Sequence, residues 1–172
     1  MAKRIYIGVF IGGLVILGIY YLLGGFQSVV VQNAEKLQFK VIGRYFYGEY
    51  DDRSVRSYFV QARELVTSGR LEGQLCVVTY QPDSLQEDFI AQFIGVAIND
   101  EAALPDGFEQ RSFEGSKAAV ANLDMHPVAM PNPKTVQTEL ISYAQSQGWS
   151  KPQSFIEIYL PDNSMQVYIL SE

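Results

Sequence analysis

The strongest constraint on this chain is a stretch without a single charge: nothing ionisable as Asp, Glu, Lys or Arg lies between Arg4 and Gln27. Within it, Ile5 to Phe10, Leu14 to Leu17 and Tyr20 to Leu23 form an almost continuous apolar run. About 20 such residues at ~1.5 Å rise match a ~30 Å hydrocarbon core, so residues 5–23 are predicted to cross a membrane once as a helix. Tyr6 near one end and Tyr20 and Tyr21 near the other fall where an aromatic belt belongs. Lys3 and Arg4 precede the run and the first charge after it is Glu35, which places the N-terminus in the cytoplasm and the rest of the chain in the periplasm or outside the cell. A cleaved signal peptide would be shorter and end in small residues, whereas this run ends in bulky ones. The spacing Gly8-x-x-x-Gly12 could pair two such helices into a homodimer.

This reading divides the chain into an anchor (1–26), a connector (27–35) and one domain (36–172). The whole chain has 13 Lys and Arg against 19 Asp and Glu, a formal net charge of -6. Without Lys3 and Arg4 the domain carries about -8, which repels phosphate backbones, so nucleic acid is excluded as a partner. Cys76 is the only cysteine and His126 the only histidine, which leaves neither an internal disulfide nor a Cys/His metal site. Cys76, within Leu75-Cys76-Val77-Val78, reads as a buried structural thiol; Met125-His126-Pro127 reads as a loop, and His126 as a surface or packing residue. No metal or cofactor is expected.

Periodicity in the domain gives one order of elements twice. Leu37-x-Phe39-x-Val41 alternates as a strand and continues to Tyr47; Asp51, Asp52 and Ser54 suit the start of a helix, along which Val55, Tyr58, Phe59, Ala62, Leu65 and Val66 make one apolar face before Gly69. Strands over Leu75–Tyr80 and Ile90–Ile98 follow. The second unit opens with a strand over Phe108–Leu123, with a turn or bulge near Gly115. Asn132-Pro133 then starts a helix carrying Val136, Leu140, Tyr143 and Ala144 and closed by Gly148; strands at Phe155–Leu160 and Met165–Leu170 complete the unit. Tyr80-Gln81-Pro82-Asp83-Ser84 and Tyr159-Leu160-Pro161-Asp162-Asn163 share a turn pattern between the last two strands of each unit. The predicted fold is α+β: duplicated β-α-β-β units forming an antiparallel sheet with two helices on one face, plus the N-terminal transmembrane helix.

In the penultimate strand Phe155, Glu157 and Tyr159 share one face and Ile156, Ile158 and Leu160 the other. The aliphatic face is expected to meet the helices, leaving Glu157 between two aromatic rings on the open face. A carboxylate so placed suits a lipophilic cation by charge and cation-π contact, and its burial would equally suit a general acid or base; a solvated strand face is the plain alternative. Tyr45, Tyr47, Phe93, Trp149 and Tyr168 are the other aromatics able to line such a site, each also suited to ordinary core.

These motifs resemble the GyrI-like small-molecule-binding family, which shares its fold with effector-binding domains of multidrug-responsive transcription activators. The resemblance runs from about Leu37 to Glu172. It rests on Gly48-Glu49-Tyr50-Asp51-Asp52 before the first helix and on Pro82-Asp83 followed by Ile94-Gly95-Val96-Ala97-Ile98. It rests further on Phe155-Ile156-Glu157-Ile158-Tyr159 before Val167-Tyr168-Ile169-Leu170. It implies an aromatic cleft at a pseudo-twofold axis, read by the acidic residue at the Glu157 position, with small apolar or cationic molecules as ligands. Some relatives hydrolyse reactive small molecules with that glutamate, and a cleft closed by its own side chains would instead leave a protein-interaction module. Residues Asp124 to Asn132 lack the Gly-Pro-Tyr-like lead-in of the family, and the anchor separates this chain from relatives that act on DNA or gyrase, so those activities are not implied.

Overall fold

A computed structural model describes residues 29–34, 37–82, 84–86, 88–125 and 130–171, together with residues 6, 10, 12–15 and 18. Most of the expected membrane helix (residues 5–23, including Gly8), Asp83 of the first turn motif, and His126 lie outside the described residues. Tyr6, Phe10, residues 12–15 and Gly18 are helical and exposed, and among the described residues no helix is long and apolar enough to cross a membrane.

The chain is α+β, with eight described strands in one antiparallel sheet and two helices against it. The elements are β1 (Val31–Ala34), β2 (Leu37–Glu49), α1 (Arg53–Thr67), β3 (Gly73–Tyr80), β4 (Phe89–Ile98), β5 (Glu109–Gly115), β6 (Lys117–Asp124), α2 (Pro133–Ser146), β7 (Ser154–Tyr159) and β8 (Ser164–Ser171). The strand order is β1-β6-β8-β7-β3-β4-β2-β5. Exchanging β1 with β5, β2 with β6, β3 with β7 and β4 with β8 reverses that order and changes nothing else. The duplication expected from sequence is therefore a pseudo-twofold, with its axis between β3 and β7. One detail differs from expectation: part of the predicted connector forms the edge strand β1, paired with β6. The long strand predicted across Phe108–Leu123 breaks at Ser116, beside the turn or bulge expected near Gly115, and begins at Glu109.

The caps form as the sequence implies. Asp52 accepts a hydrogen bond from the Ser54 amide (2.8 Å), Asn132 accepts one from the Lys134 amide (2.9 Å), and Pro133 fills the first helical position. Gly69 and Gly148 both leave their helices at φ +70°, the left-handed conformation in which a side chain is strained.

The sheet has two differently filled faces. On one, Ala62 and Leu65 of α1 cover Val77, Ile94, Ile42 and Val96, while Val136, Leu140 and Ala144 of α2 cover Phe155, Val167 and Ile169. On the other, Val41, Cys76, Val78, Phe93, Ile156 and Ile158 form a core to which, among the described residues, no helix contributes. Curling of the sheet closes that second core. Phe39 of β2 and Tyr168 of β8, with three strands between theirs in the order, have ring centroids 5.0 Å apart. A Cβ added to Gly115 at the end of β5 would lie 2.9 Å from the Ser171 carbonyl oxygen of β8. Only residues 35–36 separate β1 from β2, and only Ser116 separates β5 from β6. Each of these bent strands pairs at both ends of the order, which draws the sheet round.

Candidate functional site

Glu157 occupies the centre of the pseudo-symmetry. In β3·β7 it faces Val77, and these two residues are 80 positions apart, the same separation as the helix N-caps Asp52 and Asn132. The axis therefore passes through the Val77–Glu157 pair. Residues directly opposite in an antiparallel pair share a face, and Glu157 is flanked by Val77 from the cluster under α1 and Val167 from the cluster under α2.

This corrects the expected orientation. Phe155, Glu157 and Tyr159 point to the helix-bearing face, and Ile156 and Ile158 fill the helix-free core. Alternation reports which residues share a face but not which face the helices cover, and the curled interior takes the aliphatic set. The repeated turn motif carries a related slip. Its letters align 79 apart, one residue short of the structural repeat, so Tyr80 joins the helix-free core whereas Tyr159 packs beside both helices.

Glu157 is partly buried, and its Oε2 accepts a hydrogen bond from the Tyr159 hydroxyl (3.1 Å). Desolvation raises the carboxyl above its ordinary pKa, and the Tyr159 hydrogen bond offsets only part of that rise. Burial, with the carboxylate beside it, also pushes the Tyr159 phenol upward. Among the described residues no Lys or Arg forms an ion pair with Glu157. Cys76 is fully buried and its thiol is pushed far up by burial, so it is an inert core residue as expected.

The Tyr159 ring meets Phe59 of α1 edge-on at 5.7 Å. These two rings belong to the wall of a cleft of about 510 Å³, which also includes Arg63 and Val66 of α1, Leu75 of β3, Met125, and the β7–β8 turn through Leu160, Pro161 and Asn163. The turn is braced by Asp162, which accepts from the Ser164 amide and hydroxyl, and by Asn163 at φ 61°. Glu157 is not itself among the residues lining this cleft; it adjoins it through Tyr159, two residues on along the same strand face, from whose hydroxyl it accepts a hydrogen bond. Phe59, Arg63 and Met125 had no recognisable signal as site residues; only their apposition across the fold gathers them.

The remaining predicted aromatics separate. Phe155 is fully buried under α2, and Trp149 packs edge-on to Tyr143 at 5.9 Å beside the same cluster. Tyr168 and Phe93 belong to the helix-free core, and Tyr45 and Tyr47 stand half-exposed on that same face. The structure thus gathers Glu157 and Tyr159 at one site and places Tyr45, Phe93 and Tyr168 across the sheet from it.

Solved structures with this fold exist at low identity. The chain is similar to the C-terminal domain of EcmrR, with a TM-score of 0.54 and 12% identity over 84% of this chain and 97% of that one. A hydrolase from Listeria innocua gives 0.53 and 9% identity, covering 84% and 93%. An integron cassette protein from the mobile metagenome of Vibrio cholerae gives 0.51 and 12%, covering 85% and 97%. At such identities the likeness establishes the fold, which agrees with the GyrI-like architecture that the sequence resembles. No family model and no curated protein matches the sequence.

Proposed function

We propose that this is a small-molecule-binding domain whose ligand is lipophilic and cationic and enters the cleft beside Tyr159 to meet Glu157. The observation that carries the reading is a desolvated carboxylate, on the symmetry axis, without a cationic partner among the described residues. A polar group held in apolar surroundings without compensation is costly, and an incoming cation would supply the compensation. Tyr159 and Phe59 would provide aromatic surface for the same cation once the Tyr159 hydroxyl gives way. The fold shared with the EcmrR C-terminal domain is in keeping with this reading.

The test is a thermal-shift titration of the full-length chain with benzyltriethylammonium and a neutral compound of similar shape. Saturation at 100 times Kd adds ~2.7 kcal/mol, a rise of roughly 5–10 °C for a domain of this size. Cation preference should vanish in Glu157→Gln; equal shifts with both compounds in the wild type, or a cation preference that persists in Glu157→Gln, would refute the assignment of Glu157.

The raised carboxyl and its 3.1 Å contact with Tyr159 also favour a second reading, in which Glu157 activates water or protonates a leaving group on a reactive small molecule. Turnover that persists in Glu157→Gln would dispose of it. Residues 5–23 are proposed as the tether that holds this domain outside the cytoplasm, supported by their uncharged sequence. Protease accessibility in sealed, inside-out vesicles tests the topology: a domain cleaved there without detergent would reverse it.

A further inference from the structure

The helix-free face carries a second, different constellation. Arg111 of β5 lays its guanidinium over two rings at once, 4.5 Å from the centroid of Phe93 and 5.0 Å from that of Tyr45. One nitrogen donates to the Tyr80 hydroxyl at 3.3 Å, and another pairs with Glu109, two residues back on the same strand face. Gly43 makes the stack possible, since a Cβ there would lie 2.9 Å from the Phe93 ring. Beside the guanidinium opens a pocket of about 320 Å³, bounded by Tyr45, Tyr80, Pro82, Ala91, Arg111 and Gln153.

We propose that this pocket binds an aromatic carboxylate, with Arg111 as its anchor and Glu109 as the internal carboxylate it displaces. Two rings and a hydroxyl hold the guanidinium in place, so its fork is fixed before a ligand arrives. Glu109 is half-exposed and comes from an edge strand; the ion pair it makes is of the exposed kind, which contributes little and exchanges readily. An incoming carboxylate conserves the charge pairing, and its ring meets the pocket wall formed by Tyr45 and Tyr80, which pack edge-on with centroids 6.1 Å apart. The Gln153 amide adds a polar group at the rim. Glu157 lies on the opposite face of the sheet, so this site stands or falls separately from the cation site.

Calorimetric titration of the full-length chain with benzoate and with uncharged benzamide tests the proposal. Benzoate should bind at least tenfold more tightly than benzamide. Arg111→Gln should remove that preference, Glu109→Gln should tighten benzoate several-fold by removing the competitor, and Glu157→Gln should leave it unchanged. Equal affinity for the two compounds, no heat from either, or full benzoate affinity in a folded Arg111→Gln variant would each overturn the assignment. Should Arg111→Gln fail to fold, the Glu109→Gln variant decides, because unchanged or weakened benzoate binding there overturns it too.

Discussion

A carboxyl whose pKa rises on folding is protonated more readily in the native protein than in the unfolded chain, and for Glu157 the consequence has a definite sign. Between the ordinary carboxylate range and the raised value the native state holds more protons, so this residue's contribution to stability falls as pH rises through that window and is constant above it. Glu157→Gln should remove the fall: urea unfolding between pH 4 and 8 will show the variant gaining on the wild type as pH increases. A cationic ligand stabilises the charged form, so its affinity should increase over the same window, and a flat affinity profile would separate Glu157 from the ligand. The identity of this residue was legible in the strand alternation, and its surroundings were not. Phe155, Glu157 and Tyr159 could be assigned to one face from sequence, but the side on which α1 and α2 pack depends on which way the sheet curls. That is decided by contacts such as Phe39 on Tyr168, far apart in the chain.

At the scale of single elements the local signals were strong where chemistry is local. Asn132 and Pro133 start α2 where the sequence places its beginning, and Asn132→Ala should lower stability by about 1 kcal/mol, read as a shift in the urea midpoint with unchanged slope. Asn163 sits at φ 61° in the β7–β8 turn, and its carbonyl accepts from the Met125 amide at 3.0 Å. Asn163→Val strains that backbone, so it should destabilise by ~1–2 kcal/mol and perturb the cleft wall, whereas Asn163→Gly should be tolerated. Strand pairing is less forgiving. Gly95 faces Gly43 across β2·β4, and a Cβ on Gly95 would fall 2.1 Å from the Ile42 carbonyl oxygen, a contact with backbone that no rotamer relieves. Gly95→Ala should therefore cost on the order of 3 kcal/mol or more, or prevent folding, measured by the same denaturation. The edge strand β1 had no such signal: four residues, Val31 to Ala34, read as connector because pairing with β6 is a tertiary event.

For the molecule as a whole, the two cores differ in what must open to expose them. Cys76 belongs to the core inside the curl, fully buried between β4 and β7, so a thiol reagent should reach it only when the sheet itself opens. Labelling of Cys76 across a urea series should track global unfolding; fast labelling in native buffer would mean that the sheet breathes independently of the helices. The duplication was legible as a repeated order of elements, while its axis required the register of β3 against β7. That axis has a consequence for stoichiometry. A pair of identical subunits built on this plan must place the same residue twice where Val77 and Glu157 now face each other: two valines, or two carboxylates in direct opposition. Joining the halves in one chain lifts that obligation, so the central position can differ between them and present a lone negative charge to a ligand with no symmetry of its own. Binding at Glu157 is accordingly expected to saturate at one molecule per chain.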